Sequence, residues 1–285
     1  NIALINNAQR EHQEFMVSVE AVAKEHALAI TALPTNGVTV FPADSEYAAY
    51  WRSTAGSRSV IDFAWTQDAQ KAAVTGSWKN ETASQVEVMT PQGSFTLVLN
   101  ILGEHNAKNA LAATAVALAA GVSIQVIQRG LEAFQPVSGR MQKHQLNSST
   151  TLIDDSYNAN PDSVRAAIDV LSSADTPAWL VLGDMGEVGE KGPEFHHEVG
   201  AYAGEKGIKK LFATGELSKS AVSAYLAKIT SGGSAKHFDH MSDLCADIKT
   251  ALVNRPSNES TTVLVKGSRF MRMEQVVKSL TEEIH

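Results

Sequence analysis

The stretch LIDDSYNANPDS at residues 152–163 joins the end of a strand to the beginning of a helix. Its apolar start is typical of a buried strand, and Pro161 is typical of the first turn of a helix. Between them lies a dense group of hydrogen-bonding side chains: Asp154, Asp155, Ser156, Tyr157, Asn158 and Asn160. We predict a strand–turn–helix unit whose polar residues gather at the carboxyl end of the strand.

The rest of the second half repeats this pattern. Helical segments alternate with five strand candidates, which read TLIDD, AWLVLGD, KLFATG, KHFD and TTVLVKG. Such alternation predicts βαβ units with a mostly parallel, Rossmann-like sheet and right-handed crossovers. The segment QPVSGRMQ at 135–142 contains Pro136 and Gly139 and is the predicted boundary. We therefore expect two α/β domains, residues 1–138 and residues 139–285.

The first half is less regular. IALINN predicts a short buried strand, and Ser18 predicts the start of a helix with half a capping box. Between residues 59 and 99 the period falls to two in SVIDFA, QVEVMT and SFTLVLN, with a hairpin turn at 91–93. Two helices are expected at about 107–121 and 123–134. Because Asn1 leads directly into a strand, we expect that an N-terminal part is missing.

Composition excludes several classes of protein. The 285 residues carry a net charge of -7, which argues against a general nucleic-acid or anionic-membrane surface. The single cysteine, Cys245, excludes a disulfide within the chain and suits a reducing cytoplasm. The alanine-rich run at 109–122 is too short to span a bilayer and predicts a buried helix.

Polar residues follow four of the predicted strands, and ligands of doubly wound sheets bind outside the carboxyl ends of the strands. They are Asp155 and its neighbours, Asp184 after LVL, Gly215 after LFAT, and Lys266 after VLV. One such end is often only a helix cap, whereas four together predict a shared ligand crevice. A carboxylate there accepts ribose hydroxyls, and Asn side chains suit an adenine edge or phosphate oxygens. Asn160 remains open between a nucleotide contact and an N-cap.

Histidines provide weaker signals. His12 shortly follows the first strand beside two glutamates, and it is open between a metal ligand and a solvated side chain. In GEHNAKNALAA, Asn106 and Asn109 share one helix face, and a capping role explains only one of them. The pair at 196–197 is expected to lie mostly on the surface. The sequence contains no GxSxG, HExxH, cysteine cluster or Walker-type phosphate loop.

Several long motifs resemble those of the MurF-type Mur ligases. They are IDDSYNANPDS, LGDMGEVGE, GEHNAKNALAATA, FQPVSGRMQ and VLVKGSRFMRMEQVV, joined by INNAQREHQEFM and TVFPADSEYAAYWR in the first half. The resemblance covers nearly the whole chain in the same order. It implies that residues 1–138 are most of a central ATPase domain without its phosphate loop, and that 139–285 are a Rossmann-like ligase domain.

The resemblance also implies the chemistry. Such enzymes use ATP and Mg²⁺ to join D-alanyl-D-alanine to UDP-N-acetylmuramoyl-tripeptide through an acyl phosphate, in peptidoglycan synthesis. A cytoplasmic monomer is expected, without nucleic acid or membrane insertion. Because the phosphate loop is absent from residues 1–285, these residues alone are expected to bind ATP weakly and to be inactive.

Site residues are carried over by motif. His12 is similar to the family's metal-binding histidine, Asn109 to its adenine-binding asparagine, and Arg140 to the catalytic arginine that reaches the nucleotide phosphates. Asp155 is similar to the ribose-binding acid, with Asp154 as the alternative if the register differs by one. Asn158 and Asn160 are expected near the nucleotide.

The sequence departs from the family at one segment. Where many Mur ligases carry a carbamylated lysine, AVAKEHALA places His26, and Lys24 lies two positions earlier. Neither is assigned to the site.

Other functions remain as alternatives. Another Mur ligase or a folylpolyglutamate synthase is disfavoured because these lack SYNANP followed by LGDM. A nucleotide-dependent oxidoreductase is disfavoured because no GxGxxG follows a strand. A binding protein without turnover is the third alternative.

Overall fold

The computed structural model describes residues 1–11, 14–67, 71–80, 84–229, 232–256 and 258–282. The chain divides into two units, the first comprising Asn1–Glu11 with Met16–Gln135 and the second formed mainly by the residues from Pro136 onward. Both units mix helices with strands, which confirms the expected α/β class. No helix among the described residues combines the length and apolar character needed to cross a bilayer.

The first unit contains two sheets. Its elements are β1 (Ile2–Leu4), α1 (Val19–Thr31), β2 (Val38–Val40), α2 (Ala48–Ala55), β3 (Ser59–Val60), β4 (Phe63–Trp65), β5 (Val74–Asn80), β6 (Gln85–Thr90), β7 (Gly93–Val98), α3 (Glu104–Ala119) and α4 (Ile124–Glu132). Strands β1, β2 and β3 form a parallel sheet. Strands β4 to β7 form the second sheet in chain order, and only β4 and β5 are parallel. The Ser18 side chain accepts a hydrogen bond from Ala21 N, as predicted.

The prediction of one strand across SVIDFA is wrong. Ser59–Val60 pairs with β2, whereas Phe63–Trp65 pairs with β5 in the other sheet. Asp62 occupies the crossing point, where its carboxylate accepts Arg52 Nη2 at 2.5 Å and Ala73 N at 2.8 Å. An alternating pattern indicates which residues face a core, but it does not tell which sheet they join.

The second unit has one six-stranded sheet. Its elements are β8 (Gln142–Asn147), β9 (Thr150–Asp155), α5 (Pro161–Ser172), β10 (Ala178–Gly183), α6 (Gly192–Glu205), β11 (Lys210–Thr214), α7 (Ser218–Lys228), β12 (Ser234–Phe238), α8 (Met241–Val253), β13 (Thr261–Lys266) and α9 (Glu274–Thr281). The strand order is β12-β11-β10-β13-β9-β8, and every pair is parallel except β8 with β9. The central strands β10 and β13 are buried at every position, as expected where helices cover both faces of a parallel sheet.

The five predicted strands of this unit are confirmed as β9 to β13, but β8 was not predicted. Its sequence QKHQLN is polar, and only Leu146 is buried. As an edge strand, β8 is held mainly by its backbone hydrogen bonds to β9, so few of its side chains need to be apolar. A short turn, in which Asn147 Oδ1 accepts Ser149 N at 3.0 Å, returns the chain into β9.

Helices α6 and α7 pack closely through glycine. A Cβ atom on Gly200 would lie 2.1 Å from the carbonyl oxygen and 2.5 Å from the Cα atom of Ala221. Ala221 belongs to α7 and is fully buried. The two helix backbones are therefore nearer to each other than any side chain at position 200 permits.

Candidate functional site

Four strand ends lie side by side at the carboxyl edge of the second sheet. Strands β11, β10, β13 and β9 are consecutive neighbours in the sheet and run parallel. The polar residues that follow them in the sequence therefore share one edge. The side chains differ in how much of their hydrogen-bonding capacity the protein itself uses.

The carboxylate of Asp154 forms its hydrogen bonds with nearby groups of the protein itself. It is 3% exposed, its Oδ2 accepts Gly139 N at 3.0 Å, and its Oδ1 accepts Ser156 N at 3.1 Å. Ser156 Oγ donates to the same oxygen at 2.5 Å. As neighbours on a strand, Asp154 and Asp155 point to opposite faces. These contacts assign Asp154 to shaping the turn after β9.

Asp155 forms a nearly buried ion pair. Its Oδ2 lies 2.5 Å from Lys266 Nζ, and the two side chains are 13% and 4% exposed. Its Oδ1 accepts Met141 N at 3.2 Å, and Lys266 also donates to Asn158 O at 3.0 Å. A carboxylate offers about four lone-pair positions, so these two contacts leave acceptor capacity for a ligand.

The two asparagines of the turn have different surroundings. Asn158 is exposed, and the side chain of Asn160 caps α5. Asn160 Oδ1 accepts Ser163 N at 2.7 Å, and Ser163 Oγ accepts Asn160 N at 3.0 Å. This complete capping box is the alternative that the sequence left open for Asn160. Its side-chain amide N–H groups are not used by the cap.

Arg140 is exposed beside the same turn. Its guanidinium carbon lies 4.3 Å from the centroid of the Tyr157 ring. The backbone carbonyl of Gly139 accepts Tyr157 N at 3.1 Å, and Gly139 has a φ of 77°. A Cβ atom at position 139 would approach Tyr157 N to 3.1 Å, so glycine suits both the backbone angle and the close approach.

The prediction that the histidine pair at 196–197 lies on the surface is wrong for His196. His196 is 0% exposed and its Nε2 accepts Met185 N at 2.9 Å, while His197 is exposed. Because Nε2 is an acceptor, the ring proton lies on Nδ1, which donates to Gly192 O at 2.7 Å. The ring therefore fixes the LGDM turn after β10. Adjacent helical residues face different directions, and the sequence alone did not tell which one faced the core.

Burial lowers the pKa of His196 below its ordinary value, although the Gly192 carbonyl and nearby Asp184 act in the opposite direction. The folded protein therefore favours the neutral ring, and the unfolded chain takes up the proton first as the pH falls. The stability that the neutral His196 ring contributes is fully present above the pKa of histidine in the unfolded chain, about 6.5. It is lost as the pH falls below that value.

When the pH falls from about 7.5 to about 5.5, we expect the unfolding free energy of His196→Gln to decrease less than that of the wild type. Urea denaturation at the two pH values measures this difference. His197→Gln is the matched control, because the neighbouring ring of His197 is exposed whereas that of His196 is buried. Equal slopes for the wild type and His196→Gln would contradict the neutral buried ring.

In the first unit, Asn109 belongs to a chain of amide side chains. Asn6 Nδ2 donates to Asn109 Oδ1 at 2.9 Å, and Asn109 Nδ2 lies 3.3 Å from Asn106 Oδ1. Asn106 donates back to Leu102 O at 2.7 Å. Asn109 is exposed and connects the start of α3 with the segment after β1. Neither Asn106 nor Asn109 is the N-cap of α3, because that position is Gly103.

The predicted metal ligand His12 lies outside the described residues. Within the described ranges, no three His, Cys, Asp or Glu side chains are grouped closely enough to hold a metal ion. His26 Nδ1 lies 3.1 Å from Asn7 O, whereas Lys24 pairs with Glu20 at 2.6 Å on the exposed side of α1. The described residues therefore contain no such cluster of donor groups, and His12 stays a predicted magnesium ligand.

Each of the two units matches a known protein family. The family described as "Mur ligase middle domain" matches residues 1–117, and the family described as "Mur ligase, glutamate ligase domain" matches residues 139–269. The UDP-N-acetylmuramoyl-tripeptide–D-alanyl-D-alanine ligase of Escherichia coli (strain K12) is 34% identical over 98% of this chain and 60% of that protein. The enzyme of the same name from Haemophilus influenzae is 34% identical over 100% of this chain and 60% of that protein.

Solved structures show the same relation. The structure of MurF from Acinetobacter baumannii matches with a TM-score of 0.87 and 30% sequence identity. The match covers 99% of this chain and 60% of the MurF chain. The MurF ligase of Thermotoga maritima, solved in complex with ADP, has a TM-score of 0.81 at 19% identity and is similar in fold. The chain thus spans about 60% of the length of the curated relatives that it matches.

Proposed function

The chain belongs to the Mur ligase family, and from this premise we propose that it serves in an ATP-dependent ligase that joins D-alanyl-D-alanine to UDP-N-acetylmuramoyl-tripeptide. The observation that carries the proposal is the polar carboxyl edge of the second sheet. There the Asp155–Lys266 pair and Arg140 lie beside the turn that follows β9, in the part of a doubly wound sheet where ligands bind. In this proposal residues 1–138 are the middle, ATP-binding domain and 139–285 the ligase domain.

The proposed reaction has two steps. The terminal carboxylate of the tripeptide attacks the γ-phosphorus of ATP, and ADP leaves as an acyl phosphate forms. The free amine of D-alanyl-D-alanine then attacks the acyl carbon, phosphate leaves, and the amine proton passes to solvent. The first step brings two anions together, the carboxylate and the γ-phosphate, so positively charged groups that face the phosphates lower its barrier.

Each predicted site residue has a proposed part in nucleotide binding. Asp155 accepts ribose hydroxyls with its remaining lone pairs, and Asn109 binds the adenine through its amide. Arg140 reaches the phosphates and so assists transfer. Asn158 contacts the nucleotide with its exposed side chain, whereas Asn160 contributes through the amide N–H groups that its cap leaves available.

The remaining expectations belong to the same proposal. Magnesium would neutralise the nucleotide phosphates, and His12 is its proposed ligand. We further propose a cytoplasmic monomer that acts without nucleic acid and without membrane insertion.

A phosphate-release assay tests the function, in the longest natural polypeptide that contains this sequence. Phosphate release should require ATP, UDP-N-acetylmuramoyl-tripeptide and D-alanyl-D-alanine together, and omission of any one should abolish it. Turnover with a folate and glutamate in place of these substrates would overturn the proposal in favour of a folylpolyglutamate synthase. Residues 1–285 alone should bind ATP weakly and release no phosphate.

We expect Asp155→Asn to raise the KM for ATP by about tenfold or more, because a charge-assisted hydrogen bond contributes about 1.5–3 kcal/mol. Asparagine retains an acceptor for Met141 N and changes little in volume. Asp169→Asn is the control, since Asp169 forms an exposed ion pair with Lys206 elsewhere in the same unit. A KM for ATP that is the same in the wild type and Asp155→Asn would remove Asp155 from the site.

A further inference from the structure

The ring of Tyr157 contacts two arginines. The guanidinium carbon of Arg140 lies 4.3 Å from the ring centroid, and that of Arg269 lies 5.7 Å from it. The two cationic carbons are thus at most about 10 Å apart. Arg140 precedes β8, and Arg269 follows β13, so the ring brings together two charges that are distant in sequence.

The backbone on both sides of Arg140 is fixed to the 154–157 turn. Gly139 donates to one acid of that turn at 3.0 Å and accepts Tyr157 N at 3.1 Å. Met141 donates to the other acid at 3.2 Å and has a φ of 51°, which non-glycine residues seldom adopt. A strained backbone angle of this kind persists where surrounding contacts hold it. Arg140 therefore extends from a well-determined position.

The backbone at Arg269 is fixed as well. The preceding residue, Ser268, donates its N–H to Asp184 O at 3.0 Å and its hydroxyl to Ala159 O at 3.0 Å. Ser268 is 3% exposed. Both arginines thus combine a rigid origin with an exposed guanidinium.

Positive charge is not balanced at this ring. Among the described residues, Arg140 has no carboxylate within 4 Å, and Arg269 has only Glu274, at 3.5 Å in an exposed pair. A third arginine in this unit provides the contrast. Arg165 also lies over a tyrosine ring, that of Tyr202 at 3.9 Å, but it pairs with Glu198. Two like charges held near one ring are unfavourable until an anion joins them.

We propose that the Tyr157 ring positions Arg140 and Arg269 as a pair that binds one oxyanion of the ligase reaction, and that Arg269 is an anion contact in addition to Arg140. The inference rests on the proposed function for the identity of that anion. Phosphate oxygens of the nucleotide and the carboxylate of D-alanyl-D-alanine share the necessary chemistry, because a guanidinium binds either one through parallel N–H donors. The ring contacts each guanidinium through its face and so limits its orientations.

Steady-state kinetics of the longest polypeptide test the positioning role. Tyr157→Leu and Arg269→Gln should each raise one KM by about five- to thirtyfold, given the strength of exposed cation–π contacts and charged hydrogen bonds. Tyr157→Phe retains the ring face and should restore the wild-type KM. A change confined to the KM for ATP identifies the phosphates as the anion, and a change confined to the KM for D-alanyl-D-alanine identifies its carboxylate. Tyr202→Leu, which releases an arginine that has its own carboxylate, should change neither.

A binding experiment separates this inference from the ligase assignment. Calorimetry at low salt measures how inorganic tripolyphosphate and D-alanyl-D-alanine each bind to residues 1–285. Weakened binding of one probe to Tyr157→Leu, with wild-type binding to Tyr157→Phe, supports the arginine pair even if the ligase assay fails. If both probes bind equally to the wild type, Tyr157→Leu and Arg269→Gln while all three remain folded, the inference is wrong. It is also wrong if Tyr157→Phe is as weak as Tyr157→Leu.

Discussion

Replacing Gly200 with alanine is expected to lower the free energy of unfolding by about 3 kcal/mol or more. The new methyl group would lie 2.1 Å from the carbonyl oxygen of Ala221 and 2.6 Å from its carbonyl carbon. These atoms belong to the backbone of α7, which cannot rotate away as a side chain can. The two helices would have to separate, and the buried surface between them would be partly lost.

Gly130→Ala is the matched control for this change. Gly130 lies within α4 and is exposed, and a Cβ atom there has no neighbour within 4 Å. Alanine is favoured over glycine in a helix by about 1 kcal/mol, so this substitution should stabilise the protein slightly. Urea unfolding followed by circular dichroism measures both variants. Effects of the same sign would show that helix propensity, rather than close packing, governs position 200.

Replacing Lys266 with methionine is expected to cost about 3 kcal/mol. Methionine fills a similar volume, but among the described residues it leaves the Asp155 carboxylate, 13% exposed, with the backbone N–H of Met141 as its remaining partner. It also leaves Asn158 O without the donor that Lys266 supplies at 3.0 Å. The cost arises mainly from the uncompensated charge, because the attraction within a buried pair is largely offset by desolvation.

A double-mutant cycle separates these contributions. Lys266→Met combined with Asp155→Asn should be more stable than Lys266→Met alone, since the unpaired charge is then absent. Lys228→Met is the control, because Lys228 pairs with Glu205 at 2.9 Å while both side chains are about half exposed. Exposed pairs contribute about 0–1 kcal/mol. Equal losses for Lys266→Met and Lys228→Met would contradict the buried pair.

Local signals predicted the elements that local interactions determine. Pro161 and Asn160 marked the start of α5, and the hairpin turn expected at 91–93 does connect β6 with β7, although Gly93 already belongs to β7. The order of parallel strands also brings the four polar strand ends together, because consecutive βαβ units leave their carboxyl ends on the same edge.

Contacts between distant residues could not be predicted in the same way. Asp155 and Lys266 were both recognised as strand-end residues, but 111 positions separate them, and the pairing depends on β13 lying next to β9. The edge strand β8 has too little apolar character to be recognised from the sequence. His196 is buried because it lies on the side of α6 that faces the core, and the sequence alone does not show which side that is. In the sequence Tyr157 is one polar residue among several, because nothing there shows that Arg140 and Arg269 reach its ring.

The hydrogen bond from the His196 ring has a consequence for isotope exchange. Its Nδ1 proton lies on a fully buried ring and is bonded to Gly192 O at 2.7 Å, so water reaches it only when the structure around the ring opens. The rate at which deuterium replaces this one proton therefore reports the free energy of that opening. Because the proton belongs to a side chain, its NMR signal is resolved from the backbone amides. The ring thus carries a natural label for the opening of the structure around it.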